Sequence, residues 1–265
     1  MENVSRMKEL ISRLNQAAKV YYQGQGEVMS NFEYDKLYDE LLALEKKTGI
    51  TMNNSPTIHV GYETISELPK EQHVQPMLSL NKTKEPADLV AWLGNEQGLL
   101  SMKLDGLSII LTYENGELVK ALTRGNGEIG EVITNNAKTF VNIPGRIQYT
   151  GTLIVRGEAL IRYSDFEELN KQENVEEQYK NPRNLCSGSV RQLNNQITAE
   201  RNVRFLAFAL VSAQDVDMHN SREFQMEWLR TQGFEVVEYR VVTSENLDDT
   251  MMCNSFKISS VFVSK

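Results

Sequence analysis

Two apolar segments joined by an Asn-Gly pair constrain the fold of this chain more than any other stretch. Residues 107–113 and 118–124 are rich in leucine and other apolar residues, and Glu114-Asn115-Gly116-Glu117 lies between them. Asn-Gly favours a tight turn whose central residues have positive φ, and that turn matches the twist of two antiparallel strands. The sequence therefore predicts a β-hairpin, which requires an antiparallel sheet.

Strands and helices follow one another along the rest of the chain without a regular βαβ alternation. Apolar runs predict further strands over residues 99–102, 152–161, 203–211 and 235–242. Helical periodicity and capping residues predict helices over residues 7–22, 31–49, 86–94, 131–140 and 222–232, with one more starting at the capping box Ser164–Glu167. This mixture favours an antiparallel-rich α+β fold over a doubly wound sheet.

A connecting segment separates the first two helices from the rest. Residues 52–75 lack hydrophobic periodicity and contain Pro56 and Pro69, which is typical of a segment that passes over a surface. We therefore expect a small helical domain over residues 1–68 and a larger domain over residues 69–265, with any hinge motion in the connecting segment.

Composition excludes several classes of protein. The 265 residues carry a formal charge of −8 with a sequence pI near 5.1, so this chain alone is not expected to grip a nucleic acid backbone, which binds mainly lysine and arginine. No apolar run reaches the length of a membrane span and the N-terminus is polar, so we expect a cytoplasmic protein with no membrane partner. Its two cysteines, Cys186 and Cys253, form no CxxC pair and predict neither a disulfide framework nor a zinc site.

The stretch Lys103-Leu104-Asp105-Gly106 lies between the apolar runs 99–102 and 107–111. A lysine at the mouth of a strand can attack phosphorus once its ammonium group is deprotonated, and burial or a neighbouring cation promotes that loss. The carboxylate of Asp105 can hold a ribose hydroxyl or a metal ion, and Gly106 lets a nucleotide approach the backbone or lets the chain turn with positive φ. The simpler interpretation of these four residues is a surface turn between two strands.

Tyrosines and polar residues cluster near the junction of the first two predicted helices. They are Tyr21, Tyr22, Asn31, Tyr34 and Asp35. By themselves these residue types favour a structural interpretation, in which the tyrosines belong to a core and the polar groups cap helices.

A series of short stretches, in matching order and spacing as far as about Val242, resembles the bacterial NAD-dependent DNA ligases. A single short motif is a weak signal, whereas this ordered set is specific. Its members are Glu33-Tyr34-Asp35, Ser55-Pro56-Thr57 with Val60-Gly61, Pro76-Met77-Leu78-Ser79-Leu80, Lys103-Leu104-Asp105-Gly106, Thr123-Arg124-Gly125 with Gly127 and Gly130-Glu131, Ile133-Thr134-Asn135-Asn136, Val155-Arg156-Gly157-Glu158, and Asn181-Pro182-Arg183-Asn184 with Gly188-Ser189 and Arg191-Gln192-Leu193.

The resemblance implies a small helical domain that binds the nicotinamide mononucleotide (NMN) half of NAD, followed by an ATP-grasp-like nucleotidyltransferase domain. It implies that Lys103 attacks the α-phosphate of NAD, becomes covalently adenylated and releases NMN, with Asp105 in the same catalytic motif. Phosphoryl transfer of this kind needs in-line positioning and cations around the negative charge. The resemblance thus implies NAD and Mg²⁺ as cofactors, with Glu158 near the ribose and the metal.

The resemblance also implies binding roles for further residues. The cations around the phosphates would be Arg124, Arg183 and Arg191. The residues around the adenosine half would be Ser79, Leu80, Ser101, Leu104 and Phe208, with the Phe208 ring stacked on adenine. The residues on the nicotinamide side would be Tyr21, Tyr22, Asn31, Phe32, Glu33, Tyr34 and Asp35. A binding role for this last group now outweighs the structural interpretation.

Three positions depart from the family pattern. Asn31 stands where the family generally has aspartate, Ser101 where it has glutamate, and Asn126 where the arginine turn usually has aspartate. The later nucleotidyltransferase motifs are not found after Val242, so we expect that domain to be incomplete at its C-terminal end. The OB-fold, zinc-finger, helix-hairpin-helix and BRCT regions of the family are not found either.

Three functional hypotheses follow. The first is the adenylation part of an NAD-dependent DNA ligase, a monomer that binds nicked double-stranded DNA only in the context of a longer ligase and weakly or not at all by itself. The second is a degenerate module that binds NAD or NMN without catalysis, which the lost carboxylates favour. The third is an ATP-using nucleotidyltransferase of the RNA ligase or capping type, which the nicotinamide-side residues Tyr34 and Asp35 disfavour.

Restoring the carboxylate at position 31 tests the nicotinamide side of the first hypothesis. If Asn31 faces the positive pyridinium ring, Asn31→Asp should tighten NAD binding, and more so at low salt because dissolved ions screen the attraction. Calorimetric titration at two salt concentrations measures the change. An unchanged affinity at both concentrations would remove Asn31 from the site.

Overall fold

The computed structural model describes residues 2–22, 29–52, 55–57, 68–77, 83, 85–172, 179–247 and 261–264. The helices within these residues are α1 (Glu2–Tyr22), α2 (Asn31–Thr48), α3 (Pro86–Leu93), α4 (Thr134–Ala137), α5 (Tyr163–Gln172), α6 (Pro182–Val190), α7 (Asn195–Glu200) and α8 (Arg222–Thr231). The strands are β1 (Lys70–Gln72), β2 (Gly98–Met102), β3 (Leu107–Glu114), β4 (Glu117–Thr123), β5 (Ile129–Glu131), β6 (Leu153–Leu160), β7 (Arg204–Ala213), β8 (Tyr239–Val242) and β9 (Val261–Ser264). The predicted mixture of helices and antiparallel sheet is confirmed.

The central element is a four-stranded sheet of order β4-β3-β6-β7, in which every neighbouring pair is antiparallel. The predicted hairpin forms its β3–β4 half. Asn115 and Gly116 have φ values of 52° and 81°, which are the positive values that a tight hairpin turn needs and that these two residue types tolerate best. This turn places Tyr113 opposite Leu118, and a bulge at Val119 then shifts the register by one residue, so that Ile109 lies opposite Thr123.

The main core lies against this sheet. Ile109, Leu111 and Tyr113 of β3 are fully buried, as the two-residue period of a strand predicts for one face. Tyr113 packs edge-to-face on Phe234 with ring centroids 5.5 Å apart, and its hydroxyl donates a hydrogen bond to the carbonyl oxygen of Pro144 at 2.8 Å. The largest core side chain therefore buries its ring without leaving its polar group unpaired.

One of two smaller sheets supports the segment before β3. Strand β2 is the middle strand of an antiparallel sheet of order β8-β2-β9, and β1 pairs with β5. Residues 98–101 of β2 are buried, and the chain passes from the end of β2 through residues 103–106 directly into β3. The stretch 103–106 is therefore held by a sheet at each end.

Helices α1 and α2 pack against each other around a core of their own. The predicted start of α2 is confirmed, because Oγ of Ser30 accepts a hydrogen bond from the backbone N–H of Glu33 at 3.1 Å, and Gly49 ends the helix with a φ of 67°. In the described part of the chain, neither these helices nor any other is long and apolar enough to cross a membrane. The core of the helix pair consists of Met7, Leu10, Ile11, Leu14, Leu37 and Leu41.

The predicted helix over residues 131–140 is wrong at both ends. Its first residue belongs to β5, which pairs with β1 so that Gly130 lies opposite Glu71, and only Thr134–Ala137 form a helical turn. The reason is tertiary, since residues 70–72 of the predicted connecting segment supply a partner strand. The backbone N–H of Val132 extends this contact by donating to the carbonyl oxygen of Pro69 at 2.7 Å.

Helix α6 is missing from the sequence-based prediction, although two start signals precede it. Oδ1 of Asn181 accepts a hydrogen bond from the backbone N–H of Asn184 at 2.8 Å, and Pro182 lies in the first turn. Serine and glycine lower the helix propensity of this segment, serine through competing hydrogen bonds and glycine through backbone entropy. Burial of Leu185 and Cys186 in the main core stabilises the helix instead.

Two predicted boundaries also shift. Helix α5 begins at Tyr163, so Ser164 lies inside the helix and is not its cap. The last predicted strand shortens to Tyr239–Val242, because its first residues form hydrogen bonds with Ala207 instead. The backbone N–H of Ala207 donates to the carbonyl oxygen of Glu235 at 2.9 Å. The strand shift comes from a contact with a distant residue, and the helix shift lies within the ordinary uncertainty of helix ends.

A glycine in β6 tests the strand packing. A Cβ atom at Gly157 would lie 2.3 Å from Cζ of Phe205 and 2.4 Å from the carbonyl oxygen of Leu206, so Gly157→Ala should lower the free energy of unfolding by about 1–3 kcal/mol. Gly145→Ala is the matched control, because a Cβ there meets nothing within 4 Å and should change stability by about 0.5 kcal/mol or less. Chemical denaturation measures both variants. Equal stabilities would contradict the packing of Phe205 on β6.

Candidate active site

Several strand ends converge at one edge of the central sheet. Strand β3 begins there, and its antiparallel neighbours β4 and β6 end there. Ser108 of β3 lies opposite Glu158 of β6, and the backbone N–H of Arg124, directly after β4, donates to the carbonyl oxygen of Ser108 at 2.9 Å. The pairing thus brings the stretch 103–106 together with Arg124 and Glu158, which are far apart in the sequence.

Glu158 is the buried centre of this edge, with 8% of its surface exposed. Its Oε1 accepts a hydrogen bond from the backbone N–H of Gly106 at 3.1 Å, and its Oε2 accepts one from Oγ of Ser108 at 2.7 Å. Burial raises the pKa of this carboxyl group, while the Ser108 hydrogen bond and the positive charges of Arg183 and Lys103 oppose the rise. Glu158 therefore joins β6 to the start of β3 and interacts with two cations.

Gly106 is required at this edge for a reason that the sequence did not show. A Cβ atom at Gly106 would lie 2.0 Å from the carbonyl oxygen of Ala159, which no real side chain tolerates. The glycine therefore lets the backbone after Lys103 pass directly against β6. That close approach is what allows the Gly106 N–H to reach Glu158.

The side chains of Lys103 and Asp105 are both exposed on this stretch. Oδ1 of Asp105 accepts a hydrogen bond from Nη1 of Arg183 at 2.7 Å. Arg183 lies in the first turn of α6, so this ion pair joins α6 to the stretch that carries Lys103. A partly exposed ion pair adds little stability, and its main consequence here is to orient the two side chains.

Arg124 begins a glycine-rich turn that Asn126 closes. Oδ1 of Asn126 accepts hydrogen bonds from the backbone N–H groups of Glu128 at 3.0 Å and Ile129 at 2.7 Å. An amide oxygen supplies both contacts as a carboxylate would, so the departure at position 126 leaves the turn closed. Nε of Arg124 donates to the carbonyl oxygen of Met77 at 3.2 Å.

Arg191, the residue after α6, lies in a buried ion pair. Its Nε donates to Oε2 of Glu131 at 2.7 Å, and the two side chains are 12% and 1% exposed. Glu131 in turn contacts Thr123, the residue before Arg124. The structure therefore attaches all three predicted arginines to elements that meet at this sheet edge.

Phe208 lies at a bulge in β7. Arg156 pairs with Ala209 and Gly157 pairs with Ala207, so Phe208 is the extra residue between two paired positions. A bulge re-aims side chains locally and is common beside functional sites. The Phe208 residue is partly buried. It lies two residues after Leu206, which pairs with Glu158.

The other residues predicted around adenosine are placed unevenly. Ser101 is buried inside β2, two residues before Lys103. Leu104 is partly buried on the stretch after β2. Ser79 and Leu80 lie outside the described residues.

The residues predicted on the nicotinamide side lie at the ends of the helix pair. Tyr34 is partly buried and packs on the core of the pair, so part of its role is structural. Phe32 is 82% exposed, Asp35 is exposed, and Glu33 forms an ion pair with Arg13 at 3.1 Å. The side chains outside the described part of the chain are those of Tyr21, Tyr22 and Asn31.

Two residues at this edge are absent from the predicted site. Ser108 donates a hydrogen bond to Glu158, but it lies outside the motifs from which the site was predicted. Arg156 could have been found, because the two-residue period of a strand puts it on the same face as Glu158. Its Nε is buried without a hydrogen-bond partner among the described residues, burial and Arg124 lower its pKa, and a cavity of about 350 Å³ lies beside it and Arg222.

The described carboxylates at this edge form no metal site by themselves. Among the residues that the structure describes, no group of three or more His, Cys, Asp or Glu side chains is placed to bind one. Mg²⁺ commonly takes one or two carboxylates together with substrate phosphates and water. Asp105 and Glu158 already accept hydrogen bonds from protein donors, and a carboxylate keeps further acceptor positions, so either could supply only part of the coordination of Mg²⁺, with a nucleotide supplying the rest.

A lysine, three arginines and a buried carboxylate near one sheet edge have the chemistry to bind a ligand that carries phosphate. The chain matches the family model of the NAD-dependent DNA ligase adenylation domain over residues 65–257. Residues 1–61 match the model of the DNA ligase-like, N-terminal NAD+-binding domain. The chain therefore belongs to the NAD-dependent DNA ligase family, as its sequence resemblance implies.

Curated relatives extend well beyond the matched region. A DNA ligase of Ruminiclostridium cellulolyticum is 59% identical over 260 residues, which cover 98% of this chain and 40% of the relative. A DNA ligase of Lachnoclostridium phytofermentans is 60% identical over 93% of this chain and 38% of its own length, and one of Helicobacter pylori is 39% identical over 87% and 36%. The chain thus spans about two fifths of the length of these relatives.

The buried carboxyl group of Glu158 should make stability depend on pH. Its pKa is raised in the folded protein, so the folded state binds this proton more tightly than the unfolded chain does. The group therefore lowers the free energy of unfolding as pH rises from about 4.5, the ordinary pKa of a glutamate carboxyl group, through the raised pKa, and the full loss persists above it. Denaturant titrations at a series of pH values measure the effect.

Glu158→Gln keeps the shape of the side chain and removes its titration. The free energy of unfolding of the wild type minus that of the variant should fall across this pH interval and then stay constant. A difference that does not vary with pH would contradict the raised pKa of Glu158.

Proposed function

We propose that this chain binds NAD and transfers the AMP group to Lys103 with release of NMN, as the first step of DNA nick sealing. The observation that carries the proposal is the set of hydrogen bonds around Glu158, which fixes the stretch of Lys103 against two strands. A nucleophile on a rigid support is what in-line group transfer requires. The family match supports NAD as the nucleotide donor and disfavours the ATP-using alternative.

In the proposed step, Nζ of Lys103 attacks the α-phosphorus of NAD. A P–N bond forms, the pyrophosphate P–O bond toward NMN breaks, and the lysine amine gives up a proton, so that NMN leaves with its phosphate. Negative charge increases on the leaving oxygen, and guanidinium groups stabilise it best when they are already oriented. The contacts of Arg124, Arg183 and Arg191 with neighbouring oxygens supply that orientation.

We assign the adenosine half of NAD to the nucleotidyltransferase domain, residues 69–265. Glu158 would accept a hydrogen bond from a ribose hydroxyl, and the Phe208 ring would stack on adenine. The bulge at Phe208 supports this role, since it re-aims that side chain next to the ladder that carries Glu158. The other contacts to adenosine are assigned to Ser79, Leu80, Ser101 and Leu104.

We assign the NMN half of NAD to the helical domain, residues 1–68. An exposed aromatic ring at Phe32 and an exposed carboxylate at Asp35 suit a flat, positively charged pyridinium ring. The remaining residues of this proposed NMN site are Tyr21, Tyr22, Asn31, Glu33 and Tyr34.

Mg²⁺ and DNA complete the proposal. Glu158 would hold Mg²⁺ together with the nucleotide phosphates, where the ion would neutralise negative charge during transfer. With a formal charge of −8, the chain would bind nicked DNA weakly without the further parts that its longer relatives contain. We infer a monomer that acts in the cytoplasm on nicks left by replication and repair.

Covalent adenylation is tested by incubating the protein with NAD and Mg²⁺ and recording its intact mass. The expected result is the added mass of one AMP, formed from NAD and not from ATP. Lys103→Ala should abolish the adduct. Lys138→Ala is the matched control, because it removes another exposed lysine, at the end of α4, and should leave adduct formation unchanged.

The outcome also separates catalysis from binding alone. An adduct that persists in Lys103→Ala would overturn the assignment of the nucleophile. If the wild type gains no mass while calorimetry shows that NAD binds, self-adenylation is wrong and the chain is an NAD-binding module. The carboxylates missing at Asn31 and Ser101 make this comparison necessary.

A further inference from the structure

The segment of residues 131–136 carries two buried side chains that both contact the C-terminal end of α6. One is Glu131, whose Oε2 lies 2.7 Å from Nε of Arg191 in the ion pair described above. The other is Asn136, which is 3% exposed. Sequence comparison marks this segment as part of the family pattern, yet the proposed reaction gives it no role.

Asn136 fixes the backbone on both sides of Arg191. Its Nδ2 donates one hydrogen bond to the carbonyl oxygen of Val190 and another to that of Gln192, each at 2.7 Å. A side-chain amide has two N–H groups on one nitrogen, so both bonds can form at once. One buried side chain thus holds the residues directly before and after Arg191.

Glu131 is itself held in place by the neighbouring strand. Its backbone N–H donates to Oγ1 of Thr123 at 3.0 Å, and the Thr123 hydroxyl lies 3.4 Å from Oε2 of Glu131. Thr123 directly precedes Arg124. The contacts of Glu131 therefore connect Arg191 to the strand end that carries a second arginine of the proposed phosphate site.

A buried ion pair of this kind is better suited to orienting a group than to stabilising a fold. Desolvation of both charges offsets much of their attraction, so apolar residues of similar volume often stabilise a fold as well or better. The guanidinium group is a rigid planar fork, and a short contact at Nε fixes the direction of that plane. A carboxylate at Glu131 thereby determines where the charge of Arg191 points.

We infer that Glu131 and Asn136 are positioning residues that hold the Arg191 guanidinium toward the phosphate groups of the bound nucleotide. The inference rests on the proposed function, because it takes Arg191 as a phosphate-binding cation. It gives the segment 131–136 a role in the rate of lysine adenylation although neither side chain contacts the nucleotide.

A double-mutant cycle tests the inference on the full chain. The four proteins are the wild type, Glu131→Gln, Arg191→Ala and the double variant, and the measurements are the rate of adduct formation at Lys103 and the affinity for NAD. Glu131→Gln should slow adduct formation about tenfold. In the Arg191→Ala background the same exchange should cause no further loss, because a residue that acts through Arg191 has nothing left to position.

Glu117→Gln is the matched control. Glu117 forms an ion pair with Arg146 at 2.9 Å on the exposed end of the hairpin, with side chains 63% and 76% exposed, and its exchange should leave the adduct rate unchanged. Glu131→Asp is the second variant if Glu131→Gln shows no cooperative thermal unfolding. It keeps the charge but shortens the side chain, so it should give a smaller loss that also vanishes in the Arg191→Ala background.

An equal fractional loss in both backgrounds would overturn the inference, since Glu131 would then act on the fold and not through Arg191. A folded Glu131→Gln protein with the wild-type rate and NAD affinity would overturn it as well. Failure of the proposed function is a different result, namely no adduct in the wild type. The cycle is then evaluated on NAD affinity, where a loss confined to the Arg191-containing background supports positioning and additive losses contradict it.

Discussion

A carboxylate that is 8% exposed persists in a folded protein only where donors surround it, and Glu158 meets its donors on the neighbouring strand. Its hydrogen bond to the Gly106 N–H requires the backbone after Lys103 to pass directly against β6, which only glycine allows. The exposed Lys103 therefore stands on a backbone whose path is fixed by a buried interaction. The adenylation proposal depends on this arrangement more than on any single charge.

The cations of the site are organised by acidic residues and backbone oxygens. Asp105 orients Arg183, and Glu131 orients Arg191, so each guanidinium group has a defined direction before a ligand arrives. In the proposed function, this orientation would let a chain with a formal charge of −8 bind phosphate locally. Net charge limits broad contact with a nucleic acid backbone, whereas a nucleotide needs only a few oriented donors.

Local signals predicted the elements that depend on local chemistry. The Asn115-Gly116 turn and the Ser30 cap of α2 were both found, because each satisfies its own hydrogen bonds and backbone angles within a few residues. The prediction failed for residues 131–140, since β5 exists only where β1 supplies a partner. It also missed α6, whose small polar residues are weak helix formers and whose burial on the core stabilises it.

The sequence by itself determined the family and pointed to the stretch Lys103-Leu104-Asp105-Gly106 of the proposed site, because short motifs and their order can be recognised without knowledge of the fold. It gave Gly106 a role toward a ligand, whereas the structure shows a backbone contact with β6. Only the tertiary structure decided which partner each charged group has, including Glu131 with Arg191. Hydrogen bonds act over about 3 Å, and residues so far apart in the chain come within that distance only when the sheets have paired.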